Sequence, residues 1–355
     1  MARALDLGRR GMYTADPNPH VGCVLWRDGV VVGEGWHEKA GGPHAEAAAL
    51  AVAGGAARGA TAYVTLEPCS HYGRTPPCSQ ALIAAGVARV VYAIDDPNPQ
   101  VAGQGAAGLR AAGIAVASGL MAAEAEKLHA GYLKRRRTGR PFVRVKMAAS
   151  LDGRTALASG ESRWITSKTA RQDVQYYRAR SSVVLTGIGT VLADDPAMNA
   201  RIDESNRQPL RVVLDSALRT PPESRIINRQ GQVLVLGTHD ETTRREALQR
   251  KGVEVAIVEG REGRPDLAGV LDLLGTRGAN EVWVEAGSVL AGAFVRAGLF
   301  DELVLYQAPT LLGPDARALL ALPPLAQLQA RPRLRFTECV AVGEDLRITA
   351  VPEAI

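Results

Sequence analysis

The 355-residue chain is expected to fold as an α/β protein in two consecutive domains, residues 1–140 and 141–355. Three observations predict this. The length exceeds what one ordinary hydrophobic core fills. Strand-like apolar runs alternate with helix-like stretches in both halves, which points to helices packed on mostly parallel sheets. Midway, the four cations Lys134–Arg137 and the following Thr-Gly-Arg-Pro141 break the pattern and read as a solvated helix end and linker.

In the first half, Ala2–Arg10 reads as an amphipathic helix. Asn18–Gly22 is a turn into a strand at Val21–Trp26, and Asp28-Gly29 turns the chain back into a strand at Val30–Gly35. Helices are expected at Ala45–Ala53 and Cys78–Ala85, the second ending at Gly86. Strands are expected at Ala60–Leu66, Val87–Ile94 and Ile114–Ala117, with Leu109–Ala112 helical. In the second half, strands are expected at Phe142–Met147, Ser182–Leu185, Leu210–Leu214, Val233–Leu236, Val253–Ile257, Glu281–Val284 and Leu303–Tyr306, with a helix over Ser167–Arg178.

The stretch from Pro43-His-Ala-Glu46 to Thr65–Cys78 carries the strongest chemical signal. One imidazole (His44), one carboxylate two residues on (Glu46) and two thiols (Cys69, Cys78) make a three-ligand zinc set with a proton carrier beside it. Catalytic zinc keeps three protein ligands and an open position for water, whose pKa it lowers. His-x-Glu followed by Pro-Cys and a second Cys is the signature of zinc nucleobase deaminases, with the Glu as proton shuttle. Residues two apart do not share a helix face, so His44 is expected at the irregular start of its helix. Cys78 is expected in the first turn of the next helix, where the dipole favours a thiolate. The alternative is a closed structural site in which His71 supplies a fourth ligand.

Composition narrows the remaining classes. Hydrophobic residues at 46% and charged residues at 22% are those of a soluble globular protein. No apolar run is long enough to span a membrane, and Met1–Arg10 lacks the apolar core of a signal peptide. Cys23 and Cys339 lie far apart from each other and from the ligand pair, which suits a reducing cytoplasm. A net charge of +5 with 5% aromatics and no basic–aromatic interleaving predicts no nucleic-acid partner. Glu285–Gly292 places glycines after a strand at the opening of a helix, where backbone amides bind phosphate, although small residues there also serve packing alone.

Along essentially its whole length the sequence resembles the bifunctional riboflavin-biosynthesis deaminase–reductase family. The first half matches at Asn18–Val24, Gly42–Glu46, Thr65–Cys78 and Asp96–Pro99. The second matches at Lys146–Thr155, Ser159–Thr166, Thr190–Pro196 and Glu285–Gly292. Eight residues separate Cys69 from Cys78, a spacer longer than in most zinc deaminases and specific to this family.

The resemblance implies a cytidine-deaminase-like α/β/α sandwich followed by a dihydrofolate-reductase-like α/β domain. It implies one zinc per chain on His44, Cys69 and Cys78, with Glu46 carrying the proton, and substrate contacts at Asn18, His37, His71 and Arg74. In the reductase half it places NADPH contacts at Ala148, Trp164, Thr190, Asp194, Ser216 and Gly287-Ser288-Val289-Leu290-Ala291-Gly292-Ala293. Substrate contacts fall at Ser162, Arg178, Met198, Arg201 and Glu285, with Arg178 and Arg201 suited to a ribose phosphate. Lys146 and Asp194 are the catalytic candidates for polarising the sugar as hydride arrives. The expected substrate is a small phosphorylated pyrimidine and the expected assembly a homo-oligomer. Tyr72, Ala48 and Met198 depart from commoner family residues, none of them at a zinc ligand.

Overall fold

The computed structural model describes residues 1–71, 76–99, 101–205 and 207–353. The chain divides into two compact units, Met1–Arg140 and Pro141–Ile355. The first unit contains α1 (Ala2–Arg10), β1 (Gly22–Arg27), β2 (Val30–Trp36), α2 (Ala45–Ala53) and β3 (Thr61–Val64). It continues with α3 (Cys78–Ala85), β4 (Arg89–Tyr92), α4 (Gln104–Ala111), β5 (Ala115–Ser118), α5 (Ala122–Leu128) and α6 (Ala130–Thr138). Its five described strands run in the order β2-β1-β3-β4-β5. β1 is antiparallel to both neighbours, whereas β3/β4 and β4/β5 are parallel. The sheet is therefore half antiparallel rather than mostly parallel, because the Asp28-Gly29 hairpin supplies its first two strands. Helix α6 runs into the Lys134–Arg137 cations and stops at Gly139 in a left-handed conformation.

Beyond β3 the path of the chain is held by a buried carboxylate. Helix α4 begins at Gly103 with no cap from its own side chains. Its N-terminal amides are instead taken by Glu67, which accepts from Gly103 N at 3.0 Å and Ala106 N at 3.0 Å. An anion at a helix start offsets the unsatisfied amides and the positive end of the dipole. Glu67 thereby docks α4 on the segment that leads through Pro68 to Cys69. The fit is close enough that a Cβ on Gly105 would lie 1.9 Å from Pro68 O.

The second unit contains β6 (Phe142–Ser150), β7 (Arg154–Ala156), α7 (Lys168–Arg180), β8 (Val183–Gly187), α8 (Ile188–Asp194), β9 (Leu210–Leu214) and β10 (Val233–Gly237). It continues with α9 (Thr242–Gln249), β11 (Glu254–Ile257), β12 (Gly260–Arg261), β13 (Arg264–Pro265), α10 (Leu267–Thr276) and β14 (Glu281–Glu285). Last come α11 (Ser288–Arg296), β15 (Glu302–Ala308), β16 (Arg317–Ala318), β17 (Leu334–Val342) and β18 (Asp345–Pro352). The described residues form a nine-stranded sheet in the order β11-β10-β9-β8-β14-β6-β15-β18-β17. From β11 to β15 every pairing is parallel, and β18 and β17 add an antiparallel edge.

Both faces of this sheet are covered. Along β8, Val183 and Leu185 pack into one apolar cluster while Val184 packs into the other. Two-sided burial is why these strands read as continuous apolar runs rather than alternating ones. At the start of the central strands Arg144 is held between Glu281 at 2.6 Å and Glu302 at 2.5 Å, and Arg180 closes on the same Glu281. On β14, the buried Trp283 stacks on Tyr177 of α7 with ring centroids 4.5 Å apart.

Gly105→Ala is expected to force Pro68 off α4 and to weaken zinc retention at Cys69, read as metal content after dialysis; full retention would show that Cys69 is placed by other contacts. His129 is buried in the first unit with Nε2 3.2 Å from Thr65 Oγ1, and burial, helped by His20, brings it down to about 3 from 6.5. Between those values the unfolded chain holds one proton more. Stability present above pH 6.5 is therefore lost as the pH falls towards 3, by up to about 1.4 kcal/mol per pH unit from this group. His129→Leu is expected to flatten that slope in urea titrations, and an unchanged slope would contradict the assignment.

Candidate active sites

Three segments bring the zinc ligands together. His44 is the N-cap of α2, with extended backbone (φ −75°, ψ 162°), so its ring is free of the helix repeat. Pro43 stands just outside the helix, which starts at Ala45. Cys69 comes after β3 on the Glu67–Pro68 segment, and Cys78 opens α3 behind Pro77. Among the described residues, one His Nδ1 or Nε2 and the two Sγ atoms lie within 4.8 Å of one another. His44 Nδ1 is 3.6 Å from Cys69 Sγ and 3.3 Å from Cys78 Sγ. A tetrahedral ion with Zn–N of about 2.0 Å and Zn–S of about 2.3 Å sets N and S about 3.5 Å apart. The donor set fits zinc in spacing and in kind.

The electrostatics fit as well. Cys69 is brought down to about 4, first by a hydrogen bond from Cys78, with His44 and the Cys78 backbone amide at 3.3 Å adding to it. Cys78 is pushed far up by the Cys69 sulfur and by burial. Glu46, on the first turn of α2 and 3% exposed, is pushed up to about 7 by burial and by the Cys69 charge. Two sulfurs and a carboxylate this close resist sharing negative charge, and a dication held between the sulfurs removes the conflict.

His37 is buried rather than solvated. Its Nδ1 meets Pro43 O at 2.9 Å and its Nε2 meets Asn18 Nδ2 at 3.0 Å, so Nδ1 donates and Nε2 accepts. Its ring packs edge-on to His44 with centroids 5.4 Å apart, and burial holds it neutral by lowering its pKa. His71 lies outside the ligand group, and its Nδ1 is buried without a partner among the described residues. Arg74 and Tyr72 lie outside the described residues.

In the second unit a cleft of about 1770 Å³ opens at the carboxyl ends of the parallel strands. Lys146, Ala148, Ser162, Trp164, Arg178, Thr190, Asp194, Met198, Arg201, Ser216, Glu285 and Gly287–Leu290 with Ala293 all line it. Ala291 and Gly292 do not. Ala291 is buried in the core, and Gly292 packs on the Ala321 backbone on the other side of α11. Twelve Lys or Arg and four Asp or Glu line the cleft, an excess larger than the chain's net +5. The positive charge is thus gathered where an anionic ligand enters a groove.

At the inner end Glu285 receives a two-pronged bond from Arg178, Nε to Oε1 at 2.5 Å and Nη2 to Oε2 at 2.8 Å. Trp283 Nε1 donates to the same Oε1 at 2.8 Å, a positioning contact that the Trp-x-Glu alternation of β14 encodes and that the motif reading missed. Burial alone would raise the Glu285 pKa, but the Arg178 charge and hydrogen bonds outweigh it and hold the carboxylate near 2. Arg178 is therefore already neutralised, contrary to its expected availability for phosphate. Arg201, bonded among the described residues only to Asn199 Oδ1 at 2.7 Å, keeps its charge available for one. Burial pulls Lys146 down beside Glu285 and Arg178. Asp194 sits on the rim, where Arg163 lies 3.6 Å from its carboxylate.

Comparison with known proteins agrees with this geometry. Residues 1–94 match the cytidine and deoxycytidylate deaminase zinc-binding region, and residues 141–348 match the RibD C-terminal domain. The riboflavin biosynthesis protein RibD of Escherichia coli is 53% identical over 358 residues, covering 98% of this chain and 96% of that protein. That of Haemophilus influenzae is 48% identical, covering 100% and 97%. RibD of Acinetobacter baumannii superposes with a TM-score of 0.92 at 45% identity, covering 99% of this chain and 98% of that one. A diaminohydroxyphosphoribosylaminopyrimidine deaminase/5-amino-6-(5-phosphoribosylamino)uracil reductase from Thermotoga maritima gives 0.88 at 32% identity, covering 99% and 97%. With relatives of this identity matched from end to end, the chain belongs to the bifunctional riboflavin-biosynthesis deaminase–reductase family.

Proposed function

We propose that the two units act on one phosphorylated pyrimidine in turn. The first hydrolyses the 2-amino group of 2,5-diamino-6-(5-phosphoribosylamino)pyrimidin-4(3H)-one. The second reduces the ribosyl group of the resulting 5-amino-6-(5-phosphoribosylamino)uracil to ribityl with NADPH. The observation that carries this reading is the convergence of His44, Cys69 and Cys78 beside a buried glutamate, in a chain whose other unit opens a cation-lined cleft.

In the deaminase unit His44, Cys69 and Cys78 would hold zinc. Zinc supplies a Lewis acid that generates a nucleophile from water near neutral pH. The chain's own work is proton transfer and orientation. Glu46 takes a proton from the attacking water and delivers it to the departing amine, so that C–NH2 and water become C=O and ammonia. Asn18 holds the pyrimidine edge, aimed by its contact with neutral His37. The Nδ1 of His71, unpartnered among the described residues, would serve the same substrate.

In the reductase unit Thr190, Ser216 and Gly287–Leu290, which line the cleft, would hold NADPH, and the cofactor would supply the hydride that reduces the sugar. Lys146, desolvated at the inner end of the cleft, gives a proton to the ring oxygen as the sugar opens. Glu285, fixed by Arg178 and Trp283, orients the substrate, and Arg201 takes its phosphate. Lys146 suits the proton-donor role better than Asp194, which faces Arg163 on the rim. A cytoplasmic site suits two thiol ligands, and no described helix is long and apolar enough to cross a membrane. Assembly as a homo-oligomer through the reductase unit is supported by the exposed outer strand β17, where Phe336 is 71% exposed.

Glu46→Gln in the zinc-loaded chain is expected to lower ammonia release by roughly 10²–10⁴-fold. NADPH oxidation on pre-deaminated substrate is expected to stay at the wild-type rate. Ammonia release near wild type in this variant would remove Glu46 from the reaction.

A further inference from the structure

The strands whose carboxyl ends form the reductase cleft lie side by side as β6, β14, β8, β9 and β10. Lys146 and Glu285 stand at one end of this series, and Ser216, just after β9, stands near the other. A nicotinamide dinucleotide with its reacting ring at Lys146 and its length laid across this series would bring its adenosine to the β9 and β10 loops.

Three arginines line the cleft there: Arg219 after β9, and Arg261 and Arg264 in the β12–β13 hairpin. None of their side chains has an ion-pair or hydrogen-bond partner among the described residues. Other arginines of the unit are engaged: Arg144 with Glu281, Arg178 with Glu285, Arg277 with Glu254 and Arg347 with Asp173. The hairpin is carried to this place by the backbone. A Cβ on Gly260 would lie 2.9 Å from Thr238 Cγ2, so the glycine lets the hairpin close on Thr238. Thr238 in turn donates its amide to Ser216 O at 3.1 Å.

The acid at this strand end faces the other way. Asp215 is fully buried and accepts from Thr220 N at 2.6 Å and Thr220 Oγ1 at 2.8 Å. In Rossmann-type dinucleotide sites a carboxylate takes the free ribose hydroxyl of NAD, and an arginine takes the 2′-phosphate of NADP. Asp266 is likewise engaged, capping α10 through Gly269 N at 2.9 Å. Glu262, between the two hairpin arginines, leaves the group of three net cationic.

We propose that Arg261 and Arg264, together with Arg219, bind a phosphate monoester on the adenosine ribose and so set the preference for the phosphorylated nicotinamide cofactor. The inference rests on the reductase reading of the cleft and deepens it. Calorimetric titration of the full chain with adenosine 2′,5′-bisphosphate and with 5′-AMP tests it without turnover. Wild type is expected to bind the bisphosphate more tightly. Arg261→Ser/Arg264→Ser and Arg219→Ser are each expected to weaken the bisphosphate roughly ten- to a hundredfold and 5′-AMP by less than about twofold. Equal wild-type affinities, equal losses for both nucleotides, or no loss would overturn the proposal while leaving the reductase reading intact. A wild-type chain that binds neither nucleotide nor NADPH would overturn both.

Discussion

Two cysteine sulfurs and a buried carboxyl crowd one imidazole, and without a cation that volume favours one ionised sulfur, Cys69, while Cys78 and Glu46 are pushed towards their protonated forms. The deaminase unit is built to create this conflict. Two helices begin at the site, so their positive ends face the sulfurs and Glu46. The third ligand arrives on a short segment pinned from behind by Glu67 and α4. Without metal, Cys78 and Glu46 are pushed towards their protonated forms, and zinc held between the sulfurs would favour ionisation of both.

The reductase unit solves a related problem without a metal. Glu285 is nearly as buried as Glu46, but a bidentate guanidinium and an indole N–H satisfy it fully. The result is a fixed, ionised acceptor, whereas Glu46 is left able to gain and lose a proton. The parallel strands place this acceptor, Lys146 and the glycine turn before α11 along one edge, and the cationic lining gives the groove its sign. Phosphate-bearing ligands are drawn to it over the rest of the surface.

Much of this was legible from residue order. The helices Ala2–Arg10, Ala45–Ala53 and Cys78–Ala85 lie where their formers and caps put them, and His44 sits at a helix start because two residues cannot share a face. The motifs singled out His44, Cys69 and Cys78, whose donor atoms the fold brings within 4.8 Å of one another. Three things were hidden. Strand β17 is mostly exposed, so it lacks an apolar face to announce it, and the β17–β18 hairpin went unseen. Periodicity cannot tell a parallel from an antiparallel neighbour, and the first sheet proved half antiparallel. A motif says which residues matter but not which partner they hold. Arg178 reads as a phosphate ligand until Glu285 is seen in its fork, and Ala291 and Gly292 read as cofactor contacts until α11 turns them inward.

The most direct test of the open, three-ligand site is X-ray absorption at the zinc edge of the zinc-loaded chain. We expect two sulfurs near 2.3 Å, one imidazole marked by its outer-shell scattering, and one further light atom near 2.0 Å that a small anion displaces, these distances being about those of protein zinc sites. A second imidazole in place of the displaceable atom, closing the site through His71, would contradict the hydrolytic role of this unit. So would a shell with fewer than two sulfurs.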